Sequence, residues 1–257
     1  MEKNRARIVK KLLMDRLDIV IPVYNEGENI ATVFRLLKKD VSTPFRVLIC
    51  YDRDDDNTLP VAKDAARELP YKVIFVKNNA GGVHNAVIAG FNASDAPAVL
   101  VFPADDNDNT RIIDRMYEKF KEGNDIVAAS RFMKGGCMKG CPWLKSFLVR
   151  SASFTLYWLA SIPIKDASNG FRLFSRRILD TVPIESSQGF TYSLEFLVKC
   201  HRLCWKIAEV PSSWYQREKG KSHFRLFKWL PYYLRWYFYG FITTYLRKVP
   251  AAVKLKG

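Results

Sequence analysis

The chain has 257 residues, of which 48% are hydrophobic and 26% are charged, and its formal net charge is +15. This composition is typical of a globular protein and excludes an intrinsically disordered one. The length suits one large α/β domain, alone or with an appendage. The basic excess indicates an anionic partner, namely a nucleic acid, a phosphorylated substrate or a membrane surface.

Apolar segments of strand length alternate with amphipathic segments of helix length in the first half of the chain. Near-continuous apolar runs predict strands at 17–24, 45–51, 71–76 and 98–102. Such strands are buried on both faces, which indicates a mostly parallel sheet with helices on both faces, here at 26–39, 58–69, 82–92 and 109–122. The polar clusters PVYNE, YDRDDDNT, VKNNAGG and PADDND follow the four strands. Because ligands bind beyond the carboxyl ends of parallel strands, these clusters mark the candidate site.

The second half of the chain predicts an aromatic helix at 143–164, another helix at 190–204 and a strand at 206–210. Eleven aromatic residues then lie between Phe224 and Tyr245, and nine Lys or Arg but no acid follow Glu218. Trp and Tyr favour the membrane interface, whereas Pro231 and Arg235 disfavour a transmembrane span. We therefore predict a basic segment at 1–16, an α/β domain at 17–223 and amphipathic membrane-interface helices at 224–257. The alternative for the last segment is a core helix packed on the domain.

The cysteine content indicates the compartment. Five cysteines, an odd number, and the lack of an apolar signal core in the first sixteen residues indicate a reducing environment. With the interfacial helices, this predicts a peripheral protein on the cytoplasmic face of a membrane. The spacing of Cys200 and Cys204 favours one buried helix face, although the two C-x3-C pairs leave a zinc site open.

Four motifs carry a family resemblance. The segments IPVYNEGENI, PADDN, SNGFRLFSRRIL and WYQREKGKSH resemble, in this order, motifs of the family 2 glycosyltransferases with the GT-A fold, an α/β fold of Rossmann-like type. The chain is most similar to the polyprenol-phosphate and dolichyl-phosphate mannose synthases, from about Leu17 to His223. It departs from them twice. CYDRDDDNT replaces V-D-D-G-S-x-D-G-T and keeps only its second carboxylate, Asp52, and Pro103 replaces the first carboxylate of the D-A-D-x-Q/S metal motif. The departures indicate a divergent branch.

The resemblance implies a metal-dependent hexosyltransferase. It would transfer a sugar, with inversion, from a nucleotide sugar such as GDP-mannose or a UDP-hexose to a polyprenyl-phosphate lipid. A Mg²⁺ or Mn²⁺ ion would neutralise the leaving diphosphate. Asp105 is the expected metal ligand and a catalytic residue, with Asn107 as the amide ligand and Asp106 and Asp108 as reserves. Alternatively, Asp108 or Asn109 caps the following helix.

The resemblance also assigns the donor site. The residues expected to bind the nucleotide sugar are Pro22, Tyr24, Asn25, Glu26, Asp52, Gly82, Asn85 and Asp105. A helix cap is the structural alternative for Asn25 to Glu28, since acids are stabilised at the positive end of a helix dipole. An ordinary surface turn is the alternative for Asp52.

On the acceptor side, the resemblance implies a cradle of cations. A phosphate monoester is largely dianionic at neutral pH and needs no general base. The residues expected to hold it are Arg131, Arg172, Arg217, Ser222 and His223, and Arg172 is also a predicted catalytic residue. The third predicted catalytic residue is Glu195, which would orient a cation or act as base toward a hydroxyl acceptor.

Three other functions compete with this one. A saccharide hydroxyl acceptor, as in surface glycan synthesis, would need Glu195 or Asp166 as base. A non-catalytic lipid- or partner-binding subunit is suggested by Pro103 and Tyr51. Nucleic-acid binding rests on charge alone, without a recognised motif, so no nucleic-acid partner is predicted. A homo-oligomer or a membrane-protein partner stays open.

Overall fold

A computed structural model describes residues 16–216, 226–245 and 253–256 of the chain. The strands of this part are β1 (Leu17–Pro22), β2 (Phe45–Tyr51), β3 (Val73–Lys77), β4 (Ala98–Val101), β5 (Ile126–Ser130), β6 (Cys137–Lys139), β7 (Arg172–Ser175), β8 (Ile207–Pro211) and β9 (Ser213–Tyr215). Its α-helices are α1 (Gly27–Asp40), α2 (Thr58–Ala65), α3 (Gly82–Ala93), α4 (Ile113–Lys121), α5 (Trp143–Trp158), α6 (Arg176–Thr181), α7 (Thr191–Arg202) and α8 (Leu226–Tyr245). Short 3₁₀ turns at Ala66–Glu68 and Thr110–Ile112 adjoin α2 and α4.

Seven strands form one sheet in the order β3-β2-β1-β4-β7-β5-β8. Within this sheet β7 runs antiparallel to both of its neighbours, β4 and β5, while the other neighbouring pairs are parallel. The prediction of a mostly parallel α/β sheet is therefore confirmed. Because the chain reverses its strand order between β1 and β4, the crevice for a ligand lies at their carboxyl ends.

Helices cover both faces of the sheet, as predicted. Alternate residues of each strand point to opposite faces, so Ile19 and Ile21 of β1 join one core cluster while Val20 joins the other. The first cluster includes side chains of α1 and α4, and the second includes side chains of α3 and α7. Burial on both faces explains why the strands read as unbroken apolar runs.

Gly90 allows α3 to approach the sheet closely. A Cβ at this position would lie 2.5 Å from Cγ1 of Val20 and 2.8 Å from Sγ of Cys50. Any larger residue would push the helix away from β1 and β2. Since α3 begins at Gly82, its close packing also fixes the loop that precedes it.

The C-terminal helices form a third layer. Leu156 of α5, Leu197 of α7 and Trp236 of α8 belong to one buried cluster. The aromatic helix predicted at 143–164 ends at Trp158, and the chain then returns to this cluster through Ile162 and Ile164. One face of α8 packs against α7, whereas Tyr232, Leu234, Phe238, Ile242 and Tyr245 on α8 are exposed. The helix α8 is thus amphipathic, while the division of the chain at 223 and the character of 224–257 as a whole stay predictions.

Candidate active site

The predicted polar clusters lie along one edge of the sheet. The loops that follow β1, β2, β4 and β5 all leave from the carboxyl ends of mutually parallel strands. The amino end of the antiparallel strand β7 lies at the same edge, because Arg172 pairs with Val101 of β4 and with Ala128 of β5. The edge therefore has a half formed by β1 to β4 and a half formed by β5 and β8, with β7 between them.

The loops after β1 and β2 form a preorganised cavity. Asn25 adopts a left-handed backbone conformation with φ of 56°. Its amide N–H donates to both carboxylate oxygens of the buried Asp56, at 3.2 and 3.1 Å. The N–H of Glu26 donates to Oγ1 of Thr58 at 2.9 Å. A cavity of about 200 Å³ results, lined by Tyr24, Asn25, Arg53, Asp55 and Asp56.

Glu26 and Pro22, which were also predicted to bind the donor, are not among the residues that line this cavity. Pro22 is the last residue of β1 and pairs with Cys50 of β2. Glu26 occupies the N-cap position of α1 without a side-chain capping bond, and its carboxylate accepts from Nδ2 of Asn29 at 2.6 Å. The helix-cap alternative is therefore correct in that Glu26 occupies the N-cap position, but its side chain makes no capping hydrogen bond.

Asp52, Gly82 and Asn85 come together one strand further along. The Asp52 carboxylate accepts from Nδ2 of Asn78 at 2.7 Å and from the N–H of Gly82 at 2.6 Å. Nδ2 of Asn85 donates to the carbonyl of Gly81 at 2.8 Å. These bonds join the loop after β2, the end of β3 and the start of α3. Asp52 thus shapes this part of the edge and is not a simple surface acid.

Sequence reasoning missed Asp56 as a site residue. Asp56 lines the cavity, and its Oδ1 also accepts from the N–H of Thr58 at 2.8 Å. The signal was present, because the family pattern V-D-D-G-S-x-D-G-T has its third acid at this position. Arg53 and Asp55, which face each other as a bidentate ion pair across the cavity lining, had no such signal.

The acids of the loop after β4 differ in burial and in their hydrogen bonds. Oδ1 of Asp106 accepts from the N–H groups of Asp108 and Asn109, at 3.0 and 2.9 Å, and burial raises the pKa of Asp106 to about 6. Asn109 in turn bonds both the carbonyl and the N–H of Ser213, at 2.7 and 2.8 Å. Asp106 is therefore a loop-folding residue, whereas Asp105 is half-buried and Asn107 is exposed.

The donor set at this loop fits a hard divalent cation. Within the described ranges, no group of three or more His, Cys, Asp or Glu side chains is placed to hold a metal ion. Asp105 and Asn107 supply one carboxylate and one amide oxygen. Mg²⁺ and similar ions accept so small a set when substrate phosphates and waters complete the coordination.

Arg131 follows β5 and forms a buried ion pair. Its Nε and Nη2 donate to the two oxygens of Asp166, at 2.7 and 2.9 Å, and Asp166 is fully buried. The guanidinium carbon of Arg131 lies 5.2 Å from the ring centroid of Phe132, and that of Arg150 on α5 lies 4.8 Å from the same centroid. The structure thus brings a second arginine, absent from the predicted cradle, to the half of the edge formed by β5 and β8.

Arg172 lies below this edge and is fully buried. Its guanidinium donates to the carbonyl groups of Ser193, Asp166 and Ala167, at 2.6, 3.2 and 2.6 Å. Burial lowers the pKa of Arg172 to about 10, which leaves it charged at neutral pH. Arg172 was predicted to contact an acceptor phosphate directly. In the structure its guanidinium is closed off from solvent and donates to backbone carbonyl groups.

Glu195 is also fully buried. Its carboxylate accepts from the N–H groups of Glu185 and Ser186, at 2.7 and 2.9 Å, and from Nζ of Lys199 at 2.6 Å. These bonds occupy it within the protein, so Glu195 fixes the loop before α7. The remaining predicted acceptor residues, Arg217, Ser222 and His223, lie outside the described residues.

Comparison with known proteins identifies the family. Residues 18–182 match the model of glycosyl transferase family 2. The chain belongs to this family. Its sequence is 27% identical over 212 residues to a dolichol-phosphate mannosyltransferase of Pyrococcus furiosus, covering 80% of this chain and 58% of that protein. It is 25% identical over 210 residues to a polyprenol monophosphomannose synthase of Mycolicibacterium smegmatis, covering 79% of each. The chain thus spans little more than half the length of the first relative.

Solved structures that superpose on the chain confirm the predicted GT-A fold. Glucosyl-3-phosphoglycerate synthase of Mycobacterium tuberculosis, crystallised with Mn²⁺, UDP and phosphoglyceric acid, superposes with a TM-score of 0.64 at 15% identity, covering 90% of this chain and 78% of that one. A second structure of that enzyme, with Mn²⁺, UDP and glucosyl-3-phosphoglycerate, gives the same TM-score and identity. Identity this low establishes the fold alone.

Proposed function

We propose that this glycosyltransferase transfers a hexosyl group, with inversion, from a nucleoside diphosphate sugar to a polyprenyl phosphate at a membrane surface. The observation that carries the proposal is the pair of guanidinium groups, Arg131 and Arg150, that share the ring of Phe132. Arg150 projects from α5, whose exposed side is apolar. A cationic pair beside an apolar surface matches a ligand with a phosphate head and a lipid chain. The names of the two relatives support the same acceptor class.

The donor would bind in the half of the edge formed by β1 to β4. Tyr24 is 47% exposed at the cavity after β1 and offers an aromatic surface for the base. Hydrogen bonds between Asn25 and Asp56 already hold these loops, so donor binding would need little further ordering of them. The leaving diphosphate would lie toward the loop after β4, and GDP-mannose and UDP-hexose remain the donor candidates.

Asp105 and Asn107 would hold a divalent cation beside that diphosphate. When bound, Mg²⁺ or Mn²⁺ supplies positive charge that stabilises the departing nucleoside diphosphate. Asp106 contributes indirectly, since its bonds to Asp108 and Asn109 set the course of the loop. The structures of the Mycobacterium tuberculosis enzyme that contain Mn²⁺ support the same class of ion.

The acceptor would supply its own nucleophile. An oxygen of the phosphate attacks the anomeric carbon as the bond from that carbon to the nucleoside diphosphate breaks. A phosphate monoester is charged at neutral pH, so no proton has to be removed. Arg131 and Arg150 would orient the phosphate by charge-assisted hydrogen bonds. A hydroxyl acceptor would need a base, and both candidates, Glu195 and Asp166, are fully buried and already bonded.

A membrane surface would present the lipid. Trp143, Phe147, Phe154 and Trp158 of α5 are between 61% and 79% exposed and recur at helical spacing. A hydrogen bond of 2.8 Å between Oγ1 of Thr155 and the hydroxyl of Tyr237 joins α5 to α8. The helix α8 also exposes apolar residues. Among the helices of the described ranges, none is long and apolar enough to cross a membrane. We therefore propose peripheral binding, at the cytoplasmic face, through both helices.

One experiment tests the proposal directly. The protein is incubated with labelled GDP-mannose or UDP-glucose, a polyprenyl phosphate and Mn²⁺, and the label is followed into the lipid phase. Loss of transfer in EDTA and its return with Mn²⁺ would test the metal requirement. Label recovered in a water-soluble saccharide would favour the hydroxyl acceptor, and a protein that neither transfers nor hydrolyses the donor would be a non-catalytic subunit.

A matched pair of variants tests the observation that carries the proposal. Arg150→Ala should raise the KM for polyprenyl phosphate about ten- to a hundredfold, because a charge-assisted bond is lost. Arg177→Ala is the control, since Arg177 also stacks on a ring, that of Trp205 at 3.8 Å, but beside Asp125 at the opposite edge of the sheet. Equal effects of the two substitutions would contradict the acceptor site.

A further inference from the structure

A buried series of three ionised side chains lies beneath the half of the edge formed by β5 and β8, where we place the acceptor. Asp166 links two arginines: its carboxylate accepts from Nε and Nη2 of Arg131, while its carbonyl and that of Ala167 accept from Nη2 of Arg172. We call Arg131, Asp166 and Arg172 the buried triad. Asp166 and Arg172 are fully buried, and the Arg131 side chain is 12% exposed. The triad therefore opens toward ligand only at Arg131.

The buried triad, with two arginines and one aspartate, has a net charge of +1. Arg172 stays protonated at neutral pH although burial lowers its pKa to about 10. Burial works to raise the pKa of Asp166, but the charge and hydrogen bonds of Arg131 lower it below its usual value, so Asp166 is ionised. A surplus charge held away from water is unfavourable unless a counter-charge approaches it. Arg150, on the same ring as Arg131, adds a second positive charge at the opening.

The hydrogen bonds within the triad fix the direction of the Arg131 guanidinium. Asp166 also accepts from the backbone N–H of Arg131 at 3.0 Å, and Nη2 of Arg131 donates to Oγ of Ser168 at 2.7 Å. Toward the described part of the chain, this guanidinium donates through Nε and Nη2. Nη1 is thus the nitrogen left for a bound anion.

We propose that Asp166 and Arg172 are positioning residues that make the acceptor site selective for a phosphate monoester dianion. Asp166 holds the Arg131 guanidinium with Nη1 toward the ligand, and Arg172 holds the backbone of Asp166 and Ala167 in place. The surplus charge of the triad and the charge of Arg150 together match the two negative charges of a monoester. A diester, with one charge, would leave one of them unbalanced. This inference rests on the proposed function, because it takes Arg131 to contact the acceptor phosphate.

Steady-state kinetics with Arg172→Lys, which keeps the charge but not the fork of donors, tests the positioning role. At saturating donor, the KM for polyprenyl phosphate should rise about ten- to a hundredfold, while the donor KM and the slow hydrolysis of donor by water stay unchanged. In an Arg131→Ala background, Arg172→Lys should add no further increase, because the group it positions is gone. Additive effects, or a parallel change in the donor KM, would overturn the positioning role.

Ser168→Ala covers the case in which the buried variant does not fold. Ser168 is exposed, so the fold should tolerate this substitution, yet its hydroxyl bonds both Nη2 of Arg131 and, at 2.9 Å, Oδ1 of Asp166. The substitution removes two hydrogen bonds to charged groups, but at an exposed position where water can replace the hydroxyl, so the acceptor KM should rise about two- to tenfold. An unchanged acceptor KM in Ser168→Ala would count against the proposal.

Inhibition by soluble phosphates tests the charge selectivity. A short prenyl phosphate monoester should inhibit transfer by the wild type at least tenfold more strongly than its methyl diester, and Arg172→Met should lose this preference. Equal inhibition of the wild type by monoester and diester would overturn the selectivity. If the wild type transfers no sugar to polyprenyl phosphate at all, the proposed function fails. If it does, and the Arg172 and Ser168 variants match it, only the present inference fails.

Discussion

The exposed aromatic residues of α5 predict where the protein binds a membrane. Phe147 and Phe154 are each 61% exposed, so the double variant Phe147→Ala/Phe154→Ala removes lipid-accessible surface without opening a cavity. An aromatic side chain of about 200 Å² exposes about 120 Å² at this fraction. At about 25 cal/mol per Å², half-insertion of both rings would contribute about 3 kcal/mol to binding. The partition coefficient should then fall about a hundredfold.

Sedimentation with vesicles of phosphatidylcholine and phosphatidylglycerol measures this effect. Tyr24→Ser is the control, because Tyr24 is 47% exposed but lies at the cavity after β1. Phe238→Ala/Ile242→Ala on α8 is the companion variant, with 55% and 48% of these side chains exposed. If both helices lie on the membrane, each double variant should weaken binding. Vesicle binding by the α5 variant equal to that of the wild type, with its circular dichroism also unchanged, would refute the assignment of α5 to the membrane.

Three further substitutions address the metal, the fold and its pH dependence. Asp105→Asn should abolish transfer while the protein stays folded, and near-normal turnover that still requires Mn²⁺ would show that another residue is the ligand. Asp18→Asn should lower the free energy of unfolding in urea by about 3 kcal/mol, because the fully buried carboxylate accepts from Nε and Nη2 of Arg46 at 2.9 and 2.6 Å; a loss below about 1 kcal/mol would contradict this. The pKa of Asp106 is raised to about 6, so its proton stabilises the fold fully below about pH 4 and this contribution is lost as the pH rises through 6. Asp106→Asn should lack that change when unfolding midpoints are compared between pH 4 and 7.

The sheet could be predicted from the sequence because its strands are buried on both faces. An unbroken run such as that of β1 leaves few alternatives to a covered strand, and the shared edge of parallel strands then brings the polar clusters together. The strand β7 gave no such signal. The sequence marks its segment only as a motif, and its antiparallel insertion between β4 and β5 depends on long-range pairing. The burial of Arg172 follows from that insertion and could not be read locally.

The roles of individual carboxylates were harder to predict than their location. Asp105 and Asp106 are neighbours of the same type, yet Asp106 bonds the amide groups of its own loop. That loop is fixed by Asn109, whose partner Ser213 lies 104 positions away. Glu195 likewise meets Glu185 and Ser186 only once α7 and the preceding loop have folded together. Spacing along the chain places a carboxylate at an edge, but its orientation depends on such distant partners.

The position of β7 has a consequence for the distance between the two substrates. Val101 of β4 and Ala128 of β5 both pair with Arg172, so the loops that carry Asp105 and Arg131 start two strand spacings apart, about 10 Å. In-line displacement requires the attacking oxygen to come within about 3–3.5 Å of the anomeric carbon, so the two anions would have to approach each other across the end of β7. The like charges of the two anions repel at such a distance. A cation held by Asp105 and the guanidinium of Arg131, one on each side of β7, would offset that repulsion.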